Sequence, residues 1–69
     1  MDALEKEFSQ RKDEIKKAVE LLFKANMKFT DWDIPEVDDQ KASKMLIEII
    51  KESISEIEQD IESGKYKNY

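Results

Sequence analysis

Apolar residues recur every three or four positions in two long runs of this sequence, and the only proline lies between the runs. This spacing places side chains on one face of an α-helix. The only glycine, Gly64, follows the second run, so no helix-breaking residue interrupts either one. We therefore predict an all-α fold, an antiparallel helical hairpin of two long helices that dimerises into a four-helix bundle.

The first run predicts a helix over about residues 2–28. One slot of its apolar stripe is interrupted by Arg11. The stripe consists of Met1, Leu4, Phe8, Ile15, Ala18, Leu22, Ala25 and Phe29. Because a polar residue in such a slot fixes the register of a bundle, we expect Arg11 to pair with Glu56, Glu58 or Asp60 of the second helix. An anion site at Arg11 is the alternative.

The second run predicts a helix over about residues 39–63. Its stripe is unbroken and consists of Ile47, Ile50, Ile54, Ile57 and Ile61. Gly64 stands where a helix ends in a left-handed cap. Two starts are open: Asp38 caps the helix directly, or Asp33 caps it with Glu36 in a capping box.

The chain is predicted to form a single domain over residues 1–69. Its parts are a helix at about 2–28, an acidic connection at 29–38, a helix at about 39–63 and a frayed polar tail at 64–69. Within the connection, residues 30–37 are expected to be extended or to form a single turn. An antiparallel return near the proline places residues 18–23 beside residues 45–50, and both stretches are apolar on more than one face.

The negative charge of the chain is concentrated in the connection. Residues 1–28 hold seven basic and six acidic side chains, and residues 41–69 hold five basic and six acidic ones. The net charge of −5 therefore matches the five carboxylates between these segments, Asp31, Asp33, Glu36, Asp38 and Asp39. Such a concentrated field favours a partner with a basic surface.

The composition argues against catalysis and against a cofactor. The chain has no Cys and no His, which are the usual ligands of zinc, copper and haem iron. It also lacks a glycine-rich turn that could cradle a phosphate. A column of carboxylates on the second helix is interpreted as a solvated face, with a metal-binding or catalytic face as the alternative: Glu48, Glu52, Glu56 and Asp60. We predict no enzyme, no cofactor, no metal and no catalytic residue.

Membrane and nucleic-acid partners are also not expected. No apolar run approaches the ~18 residues of a membrane span, and the N-terminus is charged from its second residue, unlike a signal peptide. A cytoplasmic location is the resulting expectation. The lysines of the first helix alternate with acids and form no basic stripe. An RNA-binding hairpin dimer remains an alternative.

The predicted function is a small acidic, non-enzymatic protein–protein interaction module that docks on a basic surface of another protein. The predicted partner-binding residues are Asp31, Trp32, Asp33, Ile34, Glu36, Asp38 and Asp39. Trp32 has two readings: it folds back over the bundle near Phe29 and Met45, or it points outward as a binding anchor. The apolar residues left over by the hairpin predict a homodimer, with self-association through Leu21, Phe23, Leu46, Ile49, Ile54, Ile57 and Ile61.

In size, acidity and lysine content the chain resembles regulators and inhibitors encoded by phages and mobile elements. That resemblance of chain type implies a regulator or an inhibitor. The alternative is a structural oligomerisation module without a separate binding site, in which self-association uses up the exposed apolar surface.

Overall fold

The computed structural model describes residues 2–33 and 38–68, without the side chains of Asp31 and Asp33. Helix α1 spans Ala3–Asp33 and helix α2 spans Asp39–Glu62, and the two helices contact each other. The described part of the chain contains only helices and turns. The predicted all-α helical hairpin is thus confirmed.

Helix α1 begins at a side-chain cap. The Asp2 Oδ1 atom accepts a hydrogen bond from the backbone N–H of Glu5 at 2.7 Å, which satisfies one of the unpaired donors at the helix start. The helix ends at Asp33, five residues beyond the predicted end at residue 28. The expected extended or single-turn structure is therefore wrong for residues 30–33, and residues 34–37 lie outside the described residues.

The extra length of α1 has a local cause. Neither glycine nor proline occurs between residues 29 and 33, so the acidic residues there do not break the backbone. The Thr30 Oγ1 hydroxyl donates to the Asn26 carbonyl at 3.0 Å, so this polar side chain bonds within the helix. The helix ends directly before Ile34, which precedes Pro35 and by sequence disfavours α geometry.

Helix α2 begins with Asp38 as its N-cap residue, which is the first of the two predicted starts. The Asp38 Oδ1 atom accepts hydrogen bonds from the backbone N–H groups of Gln40 at 3.0 Å and Lys41 at 3.3 Å. Asp38 has extended backbone angles, as an N-cap residue requires. Asp33 is the last residue of α1, so the alternative cap at Asp33 is wrong.

Helix α2 ends in a glycine cap, as predicted. Ser63 is the C-cap residue of α2, and Gly64 follows it with a φ of 87°. The Gly64 N–H donates to the Ile61 carbonyl at 3.1 Å, and the Lys65 N–H donates to the Asp60 carbonyl at 3.0 Å. These two bonds define a Schellman motif. An ion pair between Lys65 Nζ and Asp60 Oδ2 at 3.4 Å joins the same two residues.

The polar tail forms turns through residue 68. The Lys67 N–H donates to the Gly64 carbonyl at 3.1 Å, and the Lys65 ammonium lies 5.8 Å from the centre of the Tyr66 ring. The prediction of a frayed tail is therefore wrong for residues 64–68.

The two helices meet near the connection. The residues of reduced exposure there are Phe23, Met27 and Thr30 of α1 and Ala42, Ser43, Leu46 and Ile50 of α2. Phe23 lines a cleft of about 340 Å³ together with Ser43, Ile47 and Lys51. This contact agrees with the expected proximity of residues 18–23 and 45–50 for Phe23 and Ile47, whereas residues 18–22 are exposed.

Away from the connection the helices diverge. The chain measures 50 × 28 × 17 Å, whereas two helices packed side by side are about 20–24 Å across. Its radius of gyration is 16.1 Å, against about 11 Å for a compact domain of this length. Among the described residues, none is buried. The hairpin is therefore open and has no core of its own.

The open shape follows from the side of α1 that faces α2. One turn back from Phe23 this side of α1 still has Val19 beside Glu20, but the following turns reach Lys16, Lys12 and Ser9, which are all polar. The isoleucines that continue the contact face of α2 are Ile54, Ile57 and Ile61. They find no apolar counterpart on this side of α1, so the helices separate where the polar residues begin.

Candidate interaction surfaces

The predicted partner-binding residues surround the closed end of the hairpin. Asp31, Trp32 and Asp33 lie in the last turn of α1, Asp38 is the cap of α2, and Asp39 is its first residue. Ile34 and Glu36 lie outside the described residues. We call this set of residues, 31–39, the acidic tip.

Trp32 is the most exposed apolar side chain described, at 71%. Its ring meets the ring of Phe29 edge to face, with centroids 6.2 Å apart and planes at 85°. Phe29 is itself 60% exposed. In the single chain Trp32 therefore points outward and does not cover the end of the bundle.

The acidic tip contains no basic residue in its sequence. The last turn of α1 contains no basic residue, although the C-terminal end of a helix favours positive charge. The ion pairs among the described residues lie elsewhere, and all are local: Glu7–Arg11, Glu20–Lys24, Glu48–Lys51 and Asp60–Lys65. The acidic tip therefore combines five carboxylates in its sequence with an exposed aromatic pair.

Arg11 does not make its predicted contacts. Its Nε atom donates to the Glu7 Oε1 atom at 2.6 Å on the same helix. The predicted pairs with Glu56, Glu58 or Asp60 are absent, because the helices have already separated at this level. No ion pair joins α1 to α2 in the part of the chain that the structure describes.

A second surface runs along α1. Its residues repeat every seven positions, with Leu4, Arg11, Ala18 and Ala25 in one set and Phe8, Ile15, Leu22 and Phe29 in the other. We call these eight residues the α1 seam. All are exposed, and the large apolar ones are between 47% and 64% exposed.

The α1 seam points away from α2. At 100° per residue it lies about 120° around the helix from Phe23, Met27 and Thr30, which mark the side toward α2. The 3-4 repeat of this stripe could be predicted from the sequence. The prediction that the stripe faces the other helix of the hairpin is wrong. The signal that could have prevented this error is the polar face of Ser9, Lys12 and Lys16.

A third surface is the outer half of the α2 stripe, Ile54, Ile57 and Ile61, whose exposed fractions are 45–59%. Ile57 and Ile61 lie within about 45° of the side of α2 that contacts α1, and Ile54 lies about 65° from it. Of the predicted self-association residues, Phe23 and Leu46 are partly buried in the hairpin contact. The rest are exposed: Leu21, Ile49, Ile54, Ile57 and Ile61.

The exposed area is large for a chain of this mass. The chain has 6576 Å² of accessible surface, whereas a monomeric protein of 8.2 kDa has about 4,500 Å². The excess of about 2,000 Å² is greater than the ~800 Å² that one partner loses in a standard interface. Part of this exposed surface is apolar, since fourteen large hydrophobic residues are at least 38% exposed, and exposed apolar patches mark interaction sites.

The described residues offer little for chemistry. No group of three or more acidic side chains within residues 2–33 and 38–68 could hold a metal ion. Neither described helix is long and apolar enough to span a membrane. The predictions of no enzyme, no cofactor and no metal remain predictions.

Fold and surfaces together define an open, all-α helical hairpin with exposed apolar stripes and an acidic tip. No family of known proteins, no curated protein sequence and no solved structure matches this chain.

Proposed function

We propose that this chain is a small non-enzymatic protein–protein interaction module that works as a homodimer. The observation that carries the proposal is the accessible surface of 6576 Å² in a chain without a buried residue among those described. A domain of this size is only marginally stable even with a complete core. A second copy supplies apolar surface of the same kind and turns two open hairpins into a four-helix bundle.

Sedimentation equilibrium tests the dimer. The mass expected is twice the 8.2 kDa of the chain. Lys17→Ala is the control variant and should keep the wild-type mass, because this exposed side chain lies on neither the α1 seam nor the α2 stripe. A folded monomer at all concentrations would refute the self-association.

The acidic tip gives the homodimer a further surface for a different protein. Its concentration of carboxylates would attract a basic partner and speed the encounter. Trp32 and Phe29 offer exposed aromatic area, and Trp is the residue most enriched among binding hot spots. A regulator or inhibitor that covers a basic site on its target fits this combination.

Trp32→Ala tests the role of the tip. Affinity capture with the wild-type chain identifies partners, and Trp32→Ala is then compared with Lys17→Ala at equal helicity. Loss of a buried Trp anchor costs 2 kcal/mol or more, or about thirtyfold in affinity. Capture that both variants retain equally would eliminate Trp32 as the anchor.

A structural oligomerisation module without a separate binding site is the alternative. It is favoured by the extent of the α1 seam, which leaves all eight of its residues exposed in one chain. The fluorescence of Trp32 discriminates the two functions, because it is the only Trp of the chain. Emission of a buried indole in the dimer favours the structural module, and emission of a solvated indole favours the tip as a docking site.

A further inference from the structure

The α1 seam needs a cover that its own chain cannot provide. It lies about a third of a turn away from the side of α1 that faces α2, so closing the hairpin would leave it exposed. A strict seven-residue repeat over four heptads is typical of a seam that packs on another helix. Helix α2 of the same chain therefore cannot cover this seam, and a helix of a second molecule is the simplest cover.

We infer that the α1 seam packs against the α1 seam of a second copy, with the two helices antiparallel. This inference rests on the proposed self-association and specifies its geometry. The layers of the interface pair Leu4 with Phe29, Phe8 with Ala25, Arg11 with Leu22 and Ile15 with Ala18, and each pair occurs twice by symmetry.

Side-chain volumes favour this arrangement. Both alanines lie opposite a large residue, because Phe8 faces Ala25 and Ile15 faces Ala18, and alternating large and small residues lets the layers interdigitate. A parallel pair would place Phe8 against Phe8 and Ala18 against Ala18, which gives crowding in one layer and a void in another. It would also place the two Arg11 guanidinium groups together in the seam.

Charges beside the seam favour the same arrangement. In this register Glu7 of one copy lies beside Lys28 of the other, twice by symmetry, and the flanking positions contain no pair of like charges. Lys28 has no ion pair within the described part of its own chain. Glu7 already pairs with Arg11 of its own chain, so Lys28 of the second copy would add a second cation beside this carboxylate.

Helix α2 of a second copy is a poorer occupant of the seam. An antiparallel fit of the α2 isoleucine stripe on the α1 seam places Leu4 opposite Ile61 and Ile15 opposite Ile50. The flanking positions then bring like charges together in three places: Glu5 with Glu58, Glu7 with Asp60 and Lys12 with Lys51. Each such pair is destabilising, so electrostatics selects α1 as the cover.

The lengths of the helices also match. In this register residues 3–30 of the two helices overlap over about 42 Å. Trp32 then lies past the first residue of the other α1, Ala3, at the end of the dimer. The two acidic tips therefore lie at opposite ends and remain accessible to a partner.

Disulfide cross-linking tests the pairing, because the chain has no cysteine of its own. Ile15→Cys and Ala18→Cys chains are prepared separately, mixed and oxidised. Because a disulfide requires Cα atoms about 4.4–6.8 Å apart, the mixture should cross-link and neither variant should do so alone. A mixture of Ala18→Cys and Leu22→Cys is the control for a shift by one heptad.

Charge reversal is a second test that spares the apolar seam. Lys28→Glu should weaken the dimer on the order of tenfold, because two attractive pairs become repulsive. Adding Glu7→Lys should recover affinity relative to either single variant. Lys17→Glu, on the outer side of α1, should leave the dimer affinity unchanged.

Two sets of results would overturn the pairing. One is cross-linking only in the control mixture, and the other is a dimer that neither cross-links in the first mixture nor responds to Lys28→Glu. A chain that sedimentation shows to be monomeric would overturn the proposed homodimer as well, so the two failures are distinguishable.

Discussion

Arg11 shows how one side chain depends on the shape of the whole hairpin. Its position within an apolar stripe could be predicted from the sequence, but its partner could not. The predicted acids belong to α2, and α2 has left α1 at this level, so Arg11 bonds to Glu7 on its own helix at 2.6 Å. An exposed pair of this kind contributes only ~0.2–0.5 kcal/mol.

Replacement of Arg11 by Leu should stabilise the dimer and weaken its register. A polar residue in a seam costs stability but restricts the alignment of the helices. We expect a higher midpoint of thermal unfolding, together with species larger than a dimer in sedimentation. Arg11→Lys is the matched control and should change neither property. A lower midpoint for Arg11→Leu would show that Arg11 lies outside the dimer contact.

Trp32 was identifiable from the sequence as the only Trp within a run of acids. Whether it points inward or outward was not, because its direction depends on where α1 ends. The helix continues through Asp33 and carries the indole outward beside Phe29. The exposure of this residue is thus a consequence of five additional helical residues.

At the scale of elements, helix ends with a chemical signal were predictable. Asp38 and Gly64 mark the ends of α2 because their side-chain acceptor and left-handed backbone satisfy groups that the helix leaves unpaired. The predicted end of α1 at residue 28 is wrong because it rests on the acidic character of the residues that follow. Acidic residues do not by themselves stop a helix, and α1 continues to Asp33. The opening of the hairpin was missed because the two apolar stripes were assumed to face each other.

The Asp38 cap should be measurable in the stability of the fold. Asp38→Ala removes the acceptor for the Gln40 and Lys41 N–H groups and should lower the free energy of unfolding by about 0.5–2 kcal/mol. Asp38→Asn keeps a side-chain oxygen acceptor and should retain most of it. Chemical denaturation followed by circular dichroism at one fixed chain concentration gives the comparison. Equal losses in both variants would show that charge, and not the cap, is responsible.

At the scale of the whole molecule, a single copy of the chain folds into two helices without a buried core among its described residues. It extends over 50 × 28 × 17 Å and buries none of its described residues. Long helices of this kind owe most of their stability to packing of an apolar face. Self-association is therefore expected to supply the core, so that folding and assembly occur together.

The central claim is that the chain is stably folded only as an assembly, and thermal unfolding at several chain concentrations tests it most directly. Binding of a second copy to the folded form alone makes the unfolding midpoint depend on concentration. We predict that the unfolding midpoint, followed by far-UV circular dichroism, rises with concentration and that helicity falls on dilution. A midpoint and a helicity that stay constant over the whole range would contradict the account.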